Sequence, residues 1–374
     1  MSTLDSEAAL DPVNLFEFEE RARAHLSALA YGYYSAGAND EITLKENRAA
    51  YDRIVVYPRM LRDVGGRQME TSVLGQRISM PIMIAPMAFH RLAHPEGELA
   101  TMRAANEAQT IMAMSTLATS SIEDVAAASQ GNLWFQLYVY SDRGVTGSLV
   151  QRAEAAGCKA LVLTVDSPVL GRREIDVRNG FHLPEGLTVQ NLVPAGIDVL
   201  PGKIGESGLA AYIASLYDQS LTWKDVEWLQ SITKLPILVK GILRADDAIL
   251  ATKHGASGII VSNHGGRQLD TAPATINVLR RVAEAVNDNK GASVNGNTEI
   301  FVDGGIRRGT DVLKALALGA RAVCVGRPIL WGLAENGSAG ALAVLNMLRA
   351  EFDLAMALSG CKTLTDITPD LLSP

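Results

Sequence analysis

The stretch GIIVSNHGGRQLD, residues 258–270, starts as an apolar run and ends in serine, asparagine, histidine, two glycines, arginine, glutamine and aspartate. A continuous apolar run of this length suits a strand buried on both faces, and the polar residues that follow would then lie at its C-terminal end. Seven further runs read in the same way: 82–87, 111–116, 134–139, 160–166, 237–241, 299–304 and 322–327. Between them lie helical patterns such as EGELATMRAANEA and GTDVLKALALG, several of which stop at glycine. Eight alternating βα units predict an α/β fold with a closed (β/α)8 TIM barrel.

The 374-residue chain is 48% hydrophobic and 20% charged, the profile of a globular enzyme, and its net charge of -7 argues against a nucleic-acid partner. Cys158, Cys324 and Cys361 are widely spaced and odd in number, which suggests neither a disulfide framework nor a zinc pattern, and a cytoplasmic setting is expected. We expect no membrane span and no targeting segment at either end, since MSTLDSEAALDP and LLSP carry no recognisable signal. Residues 14–37 predict two short helices that pack on or cap the barrel. The connection at 167–221 far exceeds the usual βα loop of about 2 to 6 residues, so we expect a mobile lid at 178–221. The segment 287–299 enters a strand from a helix and belongs on the opposite, structural rim.

In such a barrel the active site forms at the C-terminal strand ends. Those ends supply Ser115, Gln136, Tyr138, Thr164, Asp166, Lys240, Ser262, His264, Asp303 and Arg327. DGGIRRG (303–309) and VGR (325–327) combine glycines, a helix start and Arg307, Arg308 and Arg327, which favours a phosphate site over plain turn chemistry. Lys240 ends an apolar strand, where it could form a Schiff base or remain charged beside a cofactor. The mixed donors and acceptors of Gln136, Thr164 and Ser115 suit the edge of a flat heterocycle and favour the second reading. His264 with Asp166 is general acid/base equipment, and Arg173 and Arg267 suit a carboxylate, whereas Arg172 also reads as a solvated charge. His90 and His94 have metal-ligand spacing, but Pro95 follows at once and no third ligand is evident, so no metal site is expected.

With SNHGGRQLD, YYSAG, FQLYVY, LTVDSPVLGRRE, PILVKGI and DGGIRRGTDVLKALALGA in view, the chain resembles the FMN-dependent 2-hydroxy-acid oxidizing enzymes over about residues 14–366. That resemblance implies a single FMN-binding domain over 1–374, with a helical extension (1–80), the barrel (81–360) and a tail (361–374). It makes His264 the base, paired with Asp166, and Tyr138 a partner of the substrate hydroxyl. Arg173, Arg267 and Tyr33 would bind the substrate carboxylate. Ala85, Pro86, Met87, Ala88, Ser115, Gln136, Thr164 and Ser262 would surround the ring and ribityl chain of FMN, with Lys240 near its N1 and O2 positions. Asp303, Gly304, Gly305, Arg307, Gly326 and Arg327 would hold the ribityl tail and phosphate.

Plant glycolate oxidases carry threonine and tryptophan where this chain has Met87 and Leu117. Leucine in place of an indole leaves space beside the α-carbon, and methionine adds an adaptable apolar wall, so L-lactate is the expected substrate and glycolate the alternative. Ala88 matches the oxidases of the family, which implies O2 as acceptor and H2O2 as product; a lactate 2-monooxygenase is a further alternative. The resemblance also implies a homotetramer or homo-octamer.

Overall fold

The computed structural model describes residues 11–197, 215–289 and 298–372. A hairpin of β1 (Thr71–Val73) and β2 (Gln76–Ile78) precedes eight parallel strands: β3 (Ile82–Ile84), β4 (Met112–Met114), β5 (Leu133–Leu137), β6 (Leu161–Thr164), β7 (Ile237–Ile242), β8 (Gly258–Val261), β9 (Glu299–Asp303) and β10 (Ala322–Val325). Each strand pairs with the next, and β10 closes the barrel on β3 with Val323 opposite Ile82. All eight expected strands are present. Most stop one to three residues short of their expected ends, because residues beyond the last ladder bond turn toward the barrel mouth; after β3, Pro86 also has no N–H to donate.

The barrel is filled by side chains. Met83, Ala113, Trp134, Val162, Leu238, Ile260 and Phe301 form its interior, with Trp134 edge-on to Phe301 at 5.8 Å. Val73 and Ile78 of the hairpin join this cluster and close the N-terminal end. The mouth that remains open is the C-terminal one, where the strand-end polar residues gather.

Residues 14–37 form the two expected helices, α1 (Leu15–His25) and α2 (Ala28–Ser35). Asn14 and Ser27 cap their N-termini by accepting backbone N–H bonds. The sequence reading did not anticipate a third helix, α3 (Ile42–Asp52), or the hairpin, so the expected helical extension is only partly helical. The part of the expected lid at 198–214, and residues 290–297 of the second long connection, lie outside the described residues. The described part of the first long connection includes one short α-helix, Glu174–Arg178.

Helix α3 joins two segments of the mouth. The Asp270 carboxylate accepts the N–H groups of Asp40, Ile42 and Thr43, which otherwise have no partner at a helix start. Asn47 and Asn263 exchange reciprocal amide bonds of 2.9 and 2.7 Å, and Arg48 reaches the Gly305 carbonyl at 2.8 Å and also the Asp311 carboxylate. Two glycines allow this approach. Gly266 has φ +76°, and a Cβ there would stand 2.7 Å from the Leu44 backbone; Gly305 has φ +83°, and its Cβ would collide with the Asn47 carbonyl oxygen. We predict that Gly266→Ala and Gly305→Ala each destabilise the fold by about 2 to 4 kcal/mol in chemical denaturation. Gly75→Ala, at φ +77° with open space around it, should cost only the left-handed strain of about 1 kcal/mol.

Candidate active site

The C-terminal mouth holds a cavity of about 1180 Å³, counted out to its solvent-filled opening. Of the residues expected at the site, all but Asp166, Ser262 and Arg308 line it directly. One wall is a polar belt across three strands: Ser115 Oγ donates to Gln136 Oε1 at 3.2 Å, and Gln136 Nε2 donates to Thr164 Oγ1 at 3.0 Å. Ala85 to Ala88 and Leu117 supply an apolar wall beside it.

Lys240 lies deep in the cavity and is 4% exposed. Its Nζ donates to Ser262 Oγ at 2.9 Å and lies 3.4 Å from Asp303 Oδ2. Burial favours the neutral amine, but Asp303 and Asp166 outweigh it and hold the pKa above the ordinary lysine value. A permanently charged ammonium is a poor nucleophile, so this environment disfavours a Schiff base and suits a fixed positive charge. Ser262 is fully buried and acts behind the wall: besides the lysine, its Oγ accepts the His264 N–H at 3.1 Å.

His264 adopts φ +58°, an uncommon conformation for a side chain of this size and one that turns its ring into the mouth. Its Nδ1 lies 2.8 Å from Asp166 Oδ1, which assigns the proton to Nδ1 and leaves Nε2 as the acceptor. Burial lowers the imidazole pKa, Asp166 opposes that shift, and Lys240 reinforces it; the net direction is down from 6.5. Burial would raise the Asp166 pKa, but His264 and Lys240 reverse this and hold it at about 2. The pair is therefore a neutral imidazole on a carboxylate. Asp166 can approach because Gly241, at φ +117°, leaves a place where a Cβ would lie 2.7 Å from the aspartate Cβ.

Arg267 and Arg327 come from different strand ends and share the C-terminus of α2. Arg267 donates to the carbonyls of Tyr33 at 2.6 Å and Ala36 at 2.9 Å; Arg327 donates to those of Tyr34 at 2.8 Å, Ala36 at 3.1 Å and Gly265 at 3.0 Å. A helix C-terminus attracts cations, and these carbonyls lack intrahelical partners. The sites are nonetheless strained electrostatically. Burial and then Arg173 lower the Arg267 pKa to about 10, while burial, Arg267 and Arg307 lower that of Arg327 to about 9.

Arg173 is 6% exposed and faces the cavity, whereas Arg172 is exposed, in line with the solvated reading of the latter. Arg307 also faces the cavity. Arg308, expected beside it, does not contribute: it donates to Glu351 at 2.8 Å and lies over the Phe16 ring. His90 Nδ1 meets Thr101 Oγ1 at 2.9 Å and His94 Nδ1 accepts the Glu96 N–H at 3.2 Å, so each has a local partner. Among the described residues no group of three or more His, Cys, Asp or Glu side chains could hold a metal.

Sequence reasoning missed several lining residues, including Tyr34, Ser167, Leu170 and Tyr217. Tyr217 stacks on Tyr138 at 4.5 Å and Tyr33 stacks on Phe181 at 4.2 Å. Ser167, next to Asp166, could have been found by its position. Tyr217 lies some fifty residues beyond its strand and carried no local signal.

The cavity suits a flat ring with an anionic tail. It has a polar belt for ring heteroatoms, a buried Asp303 Oδ1 with no partner in the structure, and Arg307 and Arg327 lining it together with Gly304 and Gly305. Positive charge exceeds negative charge around it, so anions are needed to balance it.

Comparison with known proteins agrees. Residues 22–374 match the family described as FMN-dependent dehydrogenase, and the chain belongs to that family. It is 54% identical to an L-lactate oxidase of Nostoc sp. over 98% of this chain and 99% of that one. It is 55% identical to glycolate oxidase 3 of Arabidopsis thaliana, over 96% and 95% of the two chains. A solved mandelate oxidase with (S)-4-hydroxymandelic acid superposes with a TM-score of 0.89 at 42% identity, covering 97% of this chain and 98% of that one. The protein uses FMN, and its chemistry is oxidation of a 2-hydroxy acid. Arg307→Ala should weaken FMN binding by roughly 10- to 100-fold in titrations of the apoprotein, followed by quenching of flavin fluorescence, while Arg308→Ala should leave it within about twofold.

Proposed function

We propose that the protein is an L-lactate oxidase, converting L-lactate to pyruvate and reducing O2 to H2O2. The observation that carries this reading is the neutral His264 imidazole, backed by the Asp166 carboxylate, facing the same cavity as Arg173 and Arg267, with Met87 and Leu117 in its wall. Arg173 and Arg267 would grip the carboxylate of a 2-hydroxy acid, and the Tyr33 ring, 4.9 Å from the Arg267 guanidinium, would support that grip. Tyr138 would hydrogen-bond the substrate hydroxyl, its own pKa held above the ordinary tyrosine value by burial and then by Asp166, so that it remains a donor.

Oxidation removes two protons and two electrons from the hydroxyl-bearing carbon and its oxygen. His264 Nε2 would take one proton, and Asp166 would stabilise the resulting imidazolium. Bound FMN would supply the acceptor for the two electrons and the second proton. Ala85, Pro86, Met87, Ala88, Ser115, Gln136 and Thr164 would line its ring and ribityl chain. Asp303, Gly304, Gly305, Arg307, Gly326 and Arg327 would hold the ribityl hydroxyls and phosphate. Lys240, positioned by Ser262, would place its fixed charge where negative charge accumulates. Ala88, half-buried in the wall, is our basis for O2 as acceptor.

Glycolate oxidation is the second reading, favoured by the 54% and 55% identity to glycolate oxidases. Leu117 favours lactate because it leaves room for a methyl group, and Met87 adds an apolar wall beside it. We also propose a cytoplasmic location, consistent with three buried, unpaired cysteines, and a homotetramer or homo-octamer; exposed Tyr57, Met60 and Leu358 are candidates for its contacts.

Steady-state kinetics in air should give a higher kcat/KM for L-lactate than for glycolate, by roughly 5- to 100-fold for one methyl group. A preference for glycolate contradicts the lactate assignment. Acetate in place of peroxide and pyruvate would indicate the monooxygenase. The pH dependence follows from the direction of the His264 shift. Only neutral imidazole accepts a proton, and its pKa is depressed, so kcat/KM should rise with pH along an acid limb centred below 6.5 and level off above it.

A further inference from the structure

Ser167 immediately follows Asp166, lines the cavity and is 7% exposed. Its Oγ lies 2.9 Å from Asp166 Oδ1 and 3.3 Å from His264 Nδ1, while those two atoms are 2.8 Å apart. The three atoms form a closed triangle. A hydroxyl has one proton and two lone pairs, and the ionised carboxylate can only accept, so the serine proton goes to Asp166 Oδ1. The imidazole proton at Nδ1 is then shared unequally between that oxygen and Ser167 Oγ.

We propose that Ser167 is a positioning residue that fixes the His264 tautomer and tunes its proton affinity by competing for the Asp166 oxygen that the imidazole uses. The proposal deepens the functional reading above and rests on it. By donating to Oδ1 the hydroxyl withdraws charge from the atom that would stabilise an imidazolium. Asp166 Oδ2 has no partner in the structure, so Oδ1 alone carries the coupling.

Other charges face the pair from every side. Lys240 approaches from β7, with Asp303 of β9 beside it; Arg173 approaches from the segment after β6, and Tyr138 faces Asp166 from the end of β5. Arg267 comes from the same segment as His264. These groups set the overall level of the histidine's proton affinity. Ser167 differs from them in being a neutral group that bonds to both members of the pair, so its removal changes the coupling without adding or removing a formal charge.

The test compares Ser167→Ala and Ser167→Thr with the unsubstituted FMN-loaded enzyme. Without the hydroxyl, Asp166 offers its full charge to the imidazole, and His264 becomes more basic. The acid limb of kcat/KM should move up by about half a pH unit in Ser167→Ala and return toward the original position in Ser167→Thr. The 15N resonances of His264, assigned by their loss in His264→Asn, should show the same displacement without turnover. If Ser167→Ala fails to retain FMN, Ser167→Cys, with its weaker S–H donor, should shift the limb in the same direction. A limb and a 15N titration that stay in place, or move down, overturn the proposal even if kcat falls. If the unsubstituted enzyme fails to oxidise either L-lactate or glycolate, the functional reading is lost and this inference with it.

Discussion

Two partly buried guanidinium groups held on the C-terminus of one short helix set the terms for the whole site. Arg267 arrives from the end of β8 and Arg327 from the end of β10, and both donate to carbonyls at or just beyond the end of α2. The partial negative charge there is too small to neutralise two cations, and Arg173, Arg307 and Lys240 lie around the same cavity. Desolvation first, and then that crowding, depresses the pKa values of Arg267 and Arg327. Such an arrangement is stabilised when anions enter it, and in the proposed reading a phosphate at one end and a carboxylate at the other would provide the balance.

Helix α3 carries the same logic to the backbone. It is fastened to the catalytic segment by Asp270 and Asn263, and to the glycine-rich 303–309 segment by Arg48 through Gly305 and Asp311. Asp311 also accepts the N–H groups of Arg307 and Arg308 at 2.9 Å, fixing the start of the helix that follows β9. One helix before the barrel thus sets the spacing between the proposed proton acceptor and the proposed phosphate end. Gly266 and Gly305 have no side chains because that helix comes too close.

Much of this was legible in the sequence. An apolar run buried on both faces followed by polar residues is a local signal, and it located the eight strands and their polar ends, whereas Tyr33, Ala85 to Ala88 and Leu117 followed only from the family resemblance. Within SNHGGRQLD the sequence reading assigns roles to Ser262, His264 and Arg267 and leaves Asn263, Gln268 and Asp270 without one. Ser262 and His264 serve the site, but Asn263 pairs with Asn47, Gln268 Nε2 donates to the Asp166 and Val169 carbonyls, and Asp270 caps α3. Those partners lie about 100 to 230 residues away in sequence, so no local pattern announces them. Arg307 and Arg308 illustrate the same limit: adjacent residues of one type diverge because Glu351 captures only one of them.

The central claim is that a neutral His264, backed by Asp166, takes a proton from a 2-hydroxy acid held by Arg173 and Arg267. Anaerobic mixing of L-lactate with the FMN-loaded protein tests it most directly, with flavin absorbance recorded through a single turnover. The account predicts rapid bleaching in the unsubstituted protein and a rate at least about 100-fold lower in His264→Asn, with FMN still bound. Equal bleaching rates in the two proteins would contradict it.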